Sequence, residues 1–269
     1  MKSITELNEY LKNIGSDHEH QGYSESPMAL QGKNPQIHAV LISHEFTDHC
    51  NEHTLRELDM STPIFTTSAA ATVIKGWDYF KKVYEISTCS ERNLDWTRFT
   101  PALPPWLGIA RVVSSNFDVG YLHSALMICF SSESDNPKTE KLAEAIIYTP
   151  HGILPSDLSL VSRASPQIQP LALIHGLHEV SVCRLGRINL GAVNGLAVMT
   201  RLGARYWVTT HDEIKKGKGL ISYLLGRNEL TLDEAVERAK RNCNGNSPAP
   251  DPNRFHFAEL GSGESLLLQ

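Results

Sequence analysis

The stretch that most constrains this chain is residues 39 to 58, AVLISHEFTDHCNEHTLREL. It opens on Ala39-Val40-Leu41-Ile42, a short aliphatic run rich enough in β-branched residues to be a buried strand. That run passes directly into Ser43-His44-Glu45-Phe46-Thr47-Asp48-His49-Cys50. A helix-like stretch follows, with Leu55 and Leu58 at i, i+3 spacing and Glu52, Arg56, Glu57 and Asp59 among them. Imidazoles and a carboxylate therefore sit on the turn between a buried strand and a helix. Such a turn suits a metal, because the strand end is rigid and neighbouring residues supply the ligands.

The stretch resembles the signature of the metallo-β-lactamase superfamily, a strand followed by His-x-His-x-Asp-His and a helix. In that pattern the first two histidines serve one zinc and the Asp-His pair serves the other. By this resemblance His44 takes the first histidine position, Asp48 the aspartate and His49 the last histidine, while Phe46 stands where the second histidine belongs. A phenyl ring has no lone pair for a metal, so the first zinc site loses a ligand and the second keeps both of its own. The implied fold is α/β, an αββα sandwich. The usual first strands are not found before residue 38, so either the start is rebuilt or the first hairpin is absent and a sheet edge is exposed.

Three further places extend the resemblance. A strand candidate, Ala145 to Tyr148, ends in Thr149-Pro150-His151-Gly152, where the family usually carries the aspartate that bridges two metals. A plant and fungal subset pairs Pro-His-Gly with a degenerate Asp-His-Cys, and both departures occur together here. The strand candidate Tyr206 to Thr210 runs into His211, matching the last metal histidine. His123 stands either for the family's intermediate histidine or for an inward strand residue. The implied metal ligands are Asp48, His49, His151 and His211, holding one zinc per chain. His44 and Asp48 are the implied catalytic pair. Asp212 and Glu213 either orient His211 by hydrogen bonding or simply begin the next segment.

The implied activity is hydrolysis of a small-molecule ester, lactone or thioester through one metal-bound water. Loss of the donor at position 46 keeps two alternatives open: a non-hydrolytic metal-assisted lyase, isomerase or cyclase, and a metal-free binding protein on the same scaffold.

Length and composition narrow the setting. At 269 residues the chain makes one large domain or two small ones. The resemblance divides it into a divergent segment, 1–37, and a metallo-β-lactamase-like domain, 38–269. The net charge of -5 and the absence of a basic patch disfavour nucleic acid as a partner. Cys50, Cys89, Cys129, Cys183 and Cys243 are widely spaced and form no CxxC pair, which favours a reducing compartment. The polar start lacks an apolar leader, and no apolar run approaches the roughly 20 residues that span a bilayer. The expectation is a cytoplasmic protein with a small-molecule substrate and no membrane partner. Oligomeric state is left open.

The remaining elements follow from pattern. Ile4, Leu7, Tyr10 and Leu11 mark one face of a short helix, and Gly15 to Gln36 reads as loop. Strands are expected at 63–67, 82–86, 109–113, 122–130 and 170–174, and a polar hairpin connection at 131–141. Helices are expected at 69–77 with Ser68 as N-cap, at 189–202, and at 231–241 with a capping box of Thr231 and Glu234. Trp96 and Trp106 lie in a proline-rich insert that either shapes a pocket or packs as a lid. Residues 255–260 and 265–268 read as a final hairpin-like pair.

Overall fold

A computed structural model of the chain describes residues 3–19, 36–113, 122–131, 143–182, 186–212, 224–242 and 251–269. Two units emerge, Met1–Ile86 with Gly261–Ser265, and Ser87–Leu260 with Leu266–Gln269. Each has its own apolar core.

The first unit contains α1 (Ile4–Glu19), β1 (Val40–Ile42), α2 (Glu52–Leu55), β2 (Ile64–Thr66), α3 (Ser68–Gly76) and β3 (Val83–Glu85). Its strands form a parallel sheet in the order β1-β2-β3, with Leu41 opposite Phe65 and Phe65 opposite Tyr84. Parallel neighbours need crossover connections, and α3 supplies the one between β2 and β3. Ile42, Leu58, Ile64, Ala70 and Ile74 make the core, and Ile4, Leu7 and Leu11 of α1 pack on it. The Glu57 carboxylate accepts from the Ile4 amide at the start of α1 (2.9 Å), and Asn8 Oδ1 accepts from the Gln36 amide (3.1 Å). Helix α1 continues through Gly15 to Glu19, where a loop was expected. The rest of that expected loop, 20–35, lies outside the described residues. Ser68 is the first residue of α3 rather than its cap, and Thr67 precedes it without a side-chain capping bond.

The second unit contains β4 (Ser87–Thr88), β5 (Leu107–Val113), β6 (Ser124–Ser131), β7 (Ala143–Thr149), β8 (Ile168–His175), β9 (Glu179–Val182), β10 (Gly186–Leu190), α4 (Gly191–Leu202), β11 (Tyr206–Val208), β12 (Leu225–Asn228), α5 (Leu232–Asn242) and β13 (His256–Ala258). A seven-stranded sheet runs β13-β11-β8-β7-β6-β5-β4. Its β5-β6 and β6-β7 pairs are antiparallel, and β7-β8, β8-β11 and β11-β13 are parallel. A smaller antiparallel sheet runs β10-β9-β12. Along β7, Ala143, Ala145, Ile147 and Thr149 alternate inward, the period expected of a strand. Met127, Ile147, Leu173, Leu196 and Trp207 centre the core. The capping box forms as expected, with Thr231 and Glu234 bonded reciprocally.

Of the two readings left open for Trp96, packing against the core holds: it is 2% exposed. Its backbone presses on Gly108 so closely that a Cβ there would meet Trp96 O at 2.2 Å. Several other expectations need correction. Residues 265–268 form no strand, and β13 takes β11 as its parallel partner, so the hairpin-like pair does not exist. Asn189 belongs to β10, not to the following helix. Strands β9, β10 and β12 and the 3₁₀ helix Pro155–Arg163 carry too little apolar periodicity to be read in advance. The expected connection at 132–141 lies outside the described residues, as do Cys183 and Cys243. Cys50, Cys89 and Cys129 are free and buried. Among the described residues no helix is long and apolar enough to cross a membrane.

Candidate metal centre

In the first unit, β1 ends at Ile42 and the chain turns at once. The amides of His49 and Cys50 both donate to Phe46 O, at 2.9 and 2.7 Å, closing a tight turn. Asn51 Oδ1 then accepts from the Thr54 amide at 3.0 Å and caps α2, so the helix start fixes the far end of the turn. His44 is buried, with its ring centroid 4.1 Å from that of His49 and 5.2 Å from that of Phe46. The Ser43 hydroxyl lies 3.2 Å from His49 Nδ1. Asp48 Oδ2 lies 3.8 Å from His49 Nε2. Phe46 is 44% exposed and offers no donor atom. The Cys50 thiol is pushed up to about 11 by burial and then by the charge of Glu45, so at neutral pH it is protonated and a poor metal ligand. His53, on α2, is exposed.

In the second unit three separated segments meet. Strand β7 runs out at Thr149 into Pro150-His151-Gly152, and His151 is 4% exposed. Gly152 has φ of +90°, and a Cβ there would meet Asn194 Oδ1 and Leu190 Cβ at 2.7 Å, so only glycine fits. The second segment is the end of β10. Leu190 N donates to His151 O at 2.9 Å, and Asn189 Oδ1 lies 2.7 Å from His151 Nδ1. The third follows β11, where His211 adopts a left-handed conformation, φ +64°. Its Nδ1 lies 3.4 Å from Asn189 Nδ2, and its ring centroid 4.9 Å from that of His151.

Asp212, His123 and His175 bond to backbone or side-chain groups nearby. Asp212 accepts from the amides of Leu177 and His178 at 2.8–2.9 Å, so it holds the loop after β8. Glu213 lies outside the described residues. His123 Nε2 lies 3.2 Å from Ile188 O, one residue from Asn189, at the mouth of β6. His175 is fully buried between Gly176 O (2.6 Å) and Asn194 Oδ1 (3.0 Å). Burial lowers its pKa, against the raising influence of Asn194, Gly176 and Asp212.

Sequence reasoning missed Asn189 and Asn194. Both serve histidines far away in the chain, and no motif marks either. With the Asn189 amide oriented as it is, Oδ1 accepts only, so the facing Nδ1 of His151 is the nitrogen that carries the proton. Nε2 is then the lone-pair nitrogen, the form a metal takes. In the first unit a Ser43 hydroxyl at Nδ1 permits the same form of His49. On these donor grounds the residues fit a divalent ion.

No protein-family model matches the sequence. No curated protein matches it either. Solved structures do. An isothiocyanate hydrolase from Delia radicum gut bacteria superposes with a TM-score of 0.53 at 14% identity, over 86% of this chain and 78% of that one. A metallo hydrolase of the hyperthermophilic archaeon Ignicoccus hospitalis gives 0.46 at 12% identity, over 85% and 78%. A metallo-beta-lactamase fold protein from Bacillus subtilis gives 0.44 at 13% identity, over 84% and 75%. At these identities the likeness concerns the fold alone, and the chain shares the fold of the isothiocyanate hydrolase.

Proposed function

We propose that this chain is a metal-dependent hydrolase of the metallo-β-lactamase type that opens an ester, lactone or thioester of a small molecule, a reading supported by the fold it shares with a hydrolase. In this reading residues 38–269 carry the activity, and one metal ion is held by Asp48, His49, His151 and His211. What supports it most is the 2.7 Å contact between His151 Nδ1 and Asn189 Oδ1, which makes Nε2 the lone-pair nitrogen of a buried imidazole. An imidazole and carboxylate donor set suits zinc, and it also suits iron or manganese.

Bound there, the ion would supply Lewis acidity toward a carbonyl and a nucleophile drawn from water near neutral pH. The chain's own residues divide the remaining work. Asp48 brings a negative charge that offsets the ion. Ser43 and Asn189 hold the rings of His49 and His151 by their Nδ1 atoms. His44, its ring 4.1 Å from that of His49, is the proposed proton acceptor together with Asp48.

The test is a panel of esters, lactones and thioesters offered to metal-loaded protein in ¹⁸O-labelled water. Products carrying one solvent oxygen, lost with His151→Ala, support the hydrolase. Turnover without solvent oxygen would instead favour a lyase, isomerase or cyclase, the reading that Phe46 in place of a ligand keeps alive. No turnover and no metal would leave a binding protein.

A further inference from the structure

We infer that Asn189 holds His151 and His211 in opposite tautomers, so that His151 stands ready as a ligand and His211 must re-tautomerise before it can coordinate through Nε2. The second half of this inference rests on the metal reading above, and the first half does not.

Asn189 is 7% exposed, on β10 beside the start of α4. The β10-β9 register slips between Arg187 and Asn189, a bulge of the kind that re-aims a side chain. The bulge sits where the amide must reach two imidazoles at once. Its Oδ1 is 2.7 Å from His151 Nδ1, and its Nδ2 is 3.4 Å from His211 Nδ1.

A primary amide has one accepting end and one donating end. The nitrogen facing Oδ1 must carry a proton, and the nitrogen facing Nδ2 must offer a lone pair. Neutral His151 is therefore the Nδ1–H form and neutral His211 the Nε2–H form. Turning the amide over exchanges the two assignments and does not equalise them. No orientation of asparagine can accept from both rings. For His211 to coordinate through Nε2, the proton there must leave to solvent and another must arrive at Nδ1, facing the amide's NH₂. Coordination through Nδ1 would need that NH₂ to withdraw. Either route makes His211 the slower and weaker of the two. A carboxylate at 189 is nearly isosteric and accepts on both oxygens, so it would hold both rings as Nδ1–H.

The experiment uses full-length metal-free protein labelled with ¹⁵N-histidine, at a pH where the rings are neutral. Two-bond ¹H–¹⁵N correlations report each tautomer directly, with His151→Gln and His211→Gln giving the assignments. Opposite tautomers in the wild type, both becoming Nδ1–H in Asn189→Asp, are expected. Like tautomers in the wild type, or a His211 unchanged by Asn189→Asp, would overturn the inference. Zinc competition against a chelator is the second arm. Asn189→Asp is expected to tighten binding, and Asn189→Leu to weaken it by about 10- to 100-fold, the usual effect of removing such a partner. If the wild type binds no metal, the functional reading fails while the tautomers still decide the role of Asn189. Should Asn189→Leu not fold, the isosteric Asn189→Asp carries the test.

Discussion

The turn at 43–50 and the turn at 150–152 both end a strand in histidine, and they are built in opposite ways. The first is local. Its closing bonds run from His49 and Cys50 to Phe46, and its cap, Asn51, is the next residue. The second is assembled from afar. Gly152 fits against Leu190 and Asn194, His151 leans on Asn189, and His211 arrives on another strand. A local turn tolerates a change of side chain because its backbone bonds do not depend on it, and Phe46 is 44% exposed. A turn held by distant partners has no such latitude.

The largest effect is expected at Gly152. Gly152→Ala combines a strained φ with a clash at 2.7 Å, and a loss on the order of 3 kcal/mol is expected in urea unfolding. Gly203→Ala is the control, since its φ of +64° meets open space, and about 1 kcal/mol is expected there. Equal losses at the two glycines would break the comparison. Acid comes next. Burial lowers the pKa of His175, so below about 6.5 the unfolded chain binds a proton that the folded chain does not. Stability is then complete above that pH and falls as pH drops through the window beneath it. Unfolding curves from pH 8 to pH 5 should show this fall, and His175→Gln should flatten it. The smallest effect on stability is expected from Phe46→His, within about 0.5 kcal/mol because the site is exposed. Its interest lies in metal content, which should rise as the missing donor returns to the local turn. A large loss of stability would mean that the turn is less tolerant than its bonds suggest.

The same contrast explains what could be read from the chain. The motif of the first turn is contiguous, so strand, turn and helix were legible together, as were β2, β3 and α5 with its Thr231–Glu234 box. Pro150-His151-Gly152 and His211 were legible as strand ends. Their supports were not, because Asn189 and Asn194 act across 38 and 19 residues and leave no local pattern. Trp96 stayed open between two readings for a related reason, since a tryptophan in a proline-rich loop looks the same in sequence whether it faces solvent or core, and it packs in the core. Strands β9, β10 and β12 lack the alternation that reveals β7.

Metal content tests the central claim most directly. Purified protein without an affinity tag would be analysed by plasma mass spectrometry beside the Asp48→Ala, His211→Ala double variant, which removes two proposed ligands. The account predicts about one divalent ion per wild-type chain and essentially none in a folded double variant. A wild type that holds no metal after zinc incubation and removal of the excess, or a double variant that holds as much as the wild type, would contradict it.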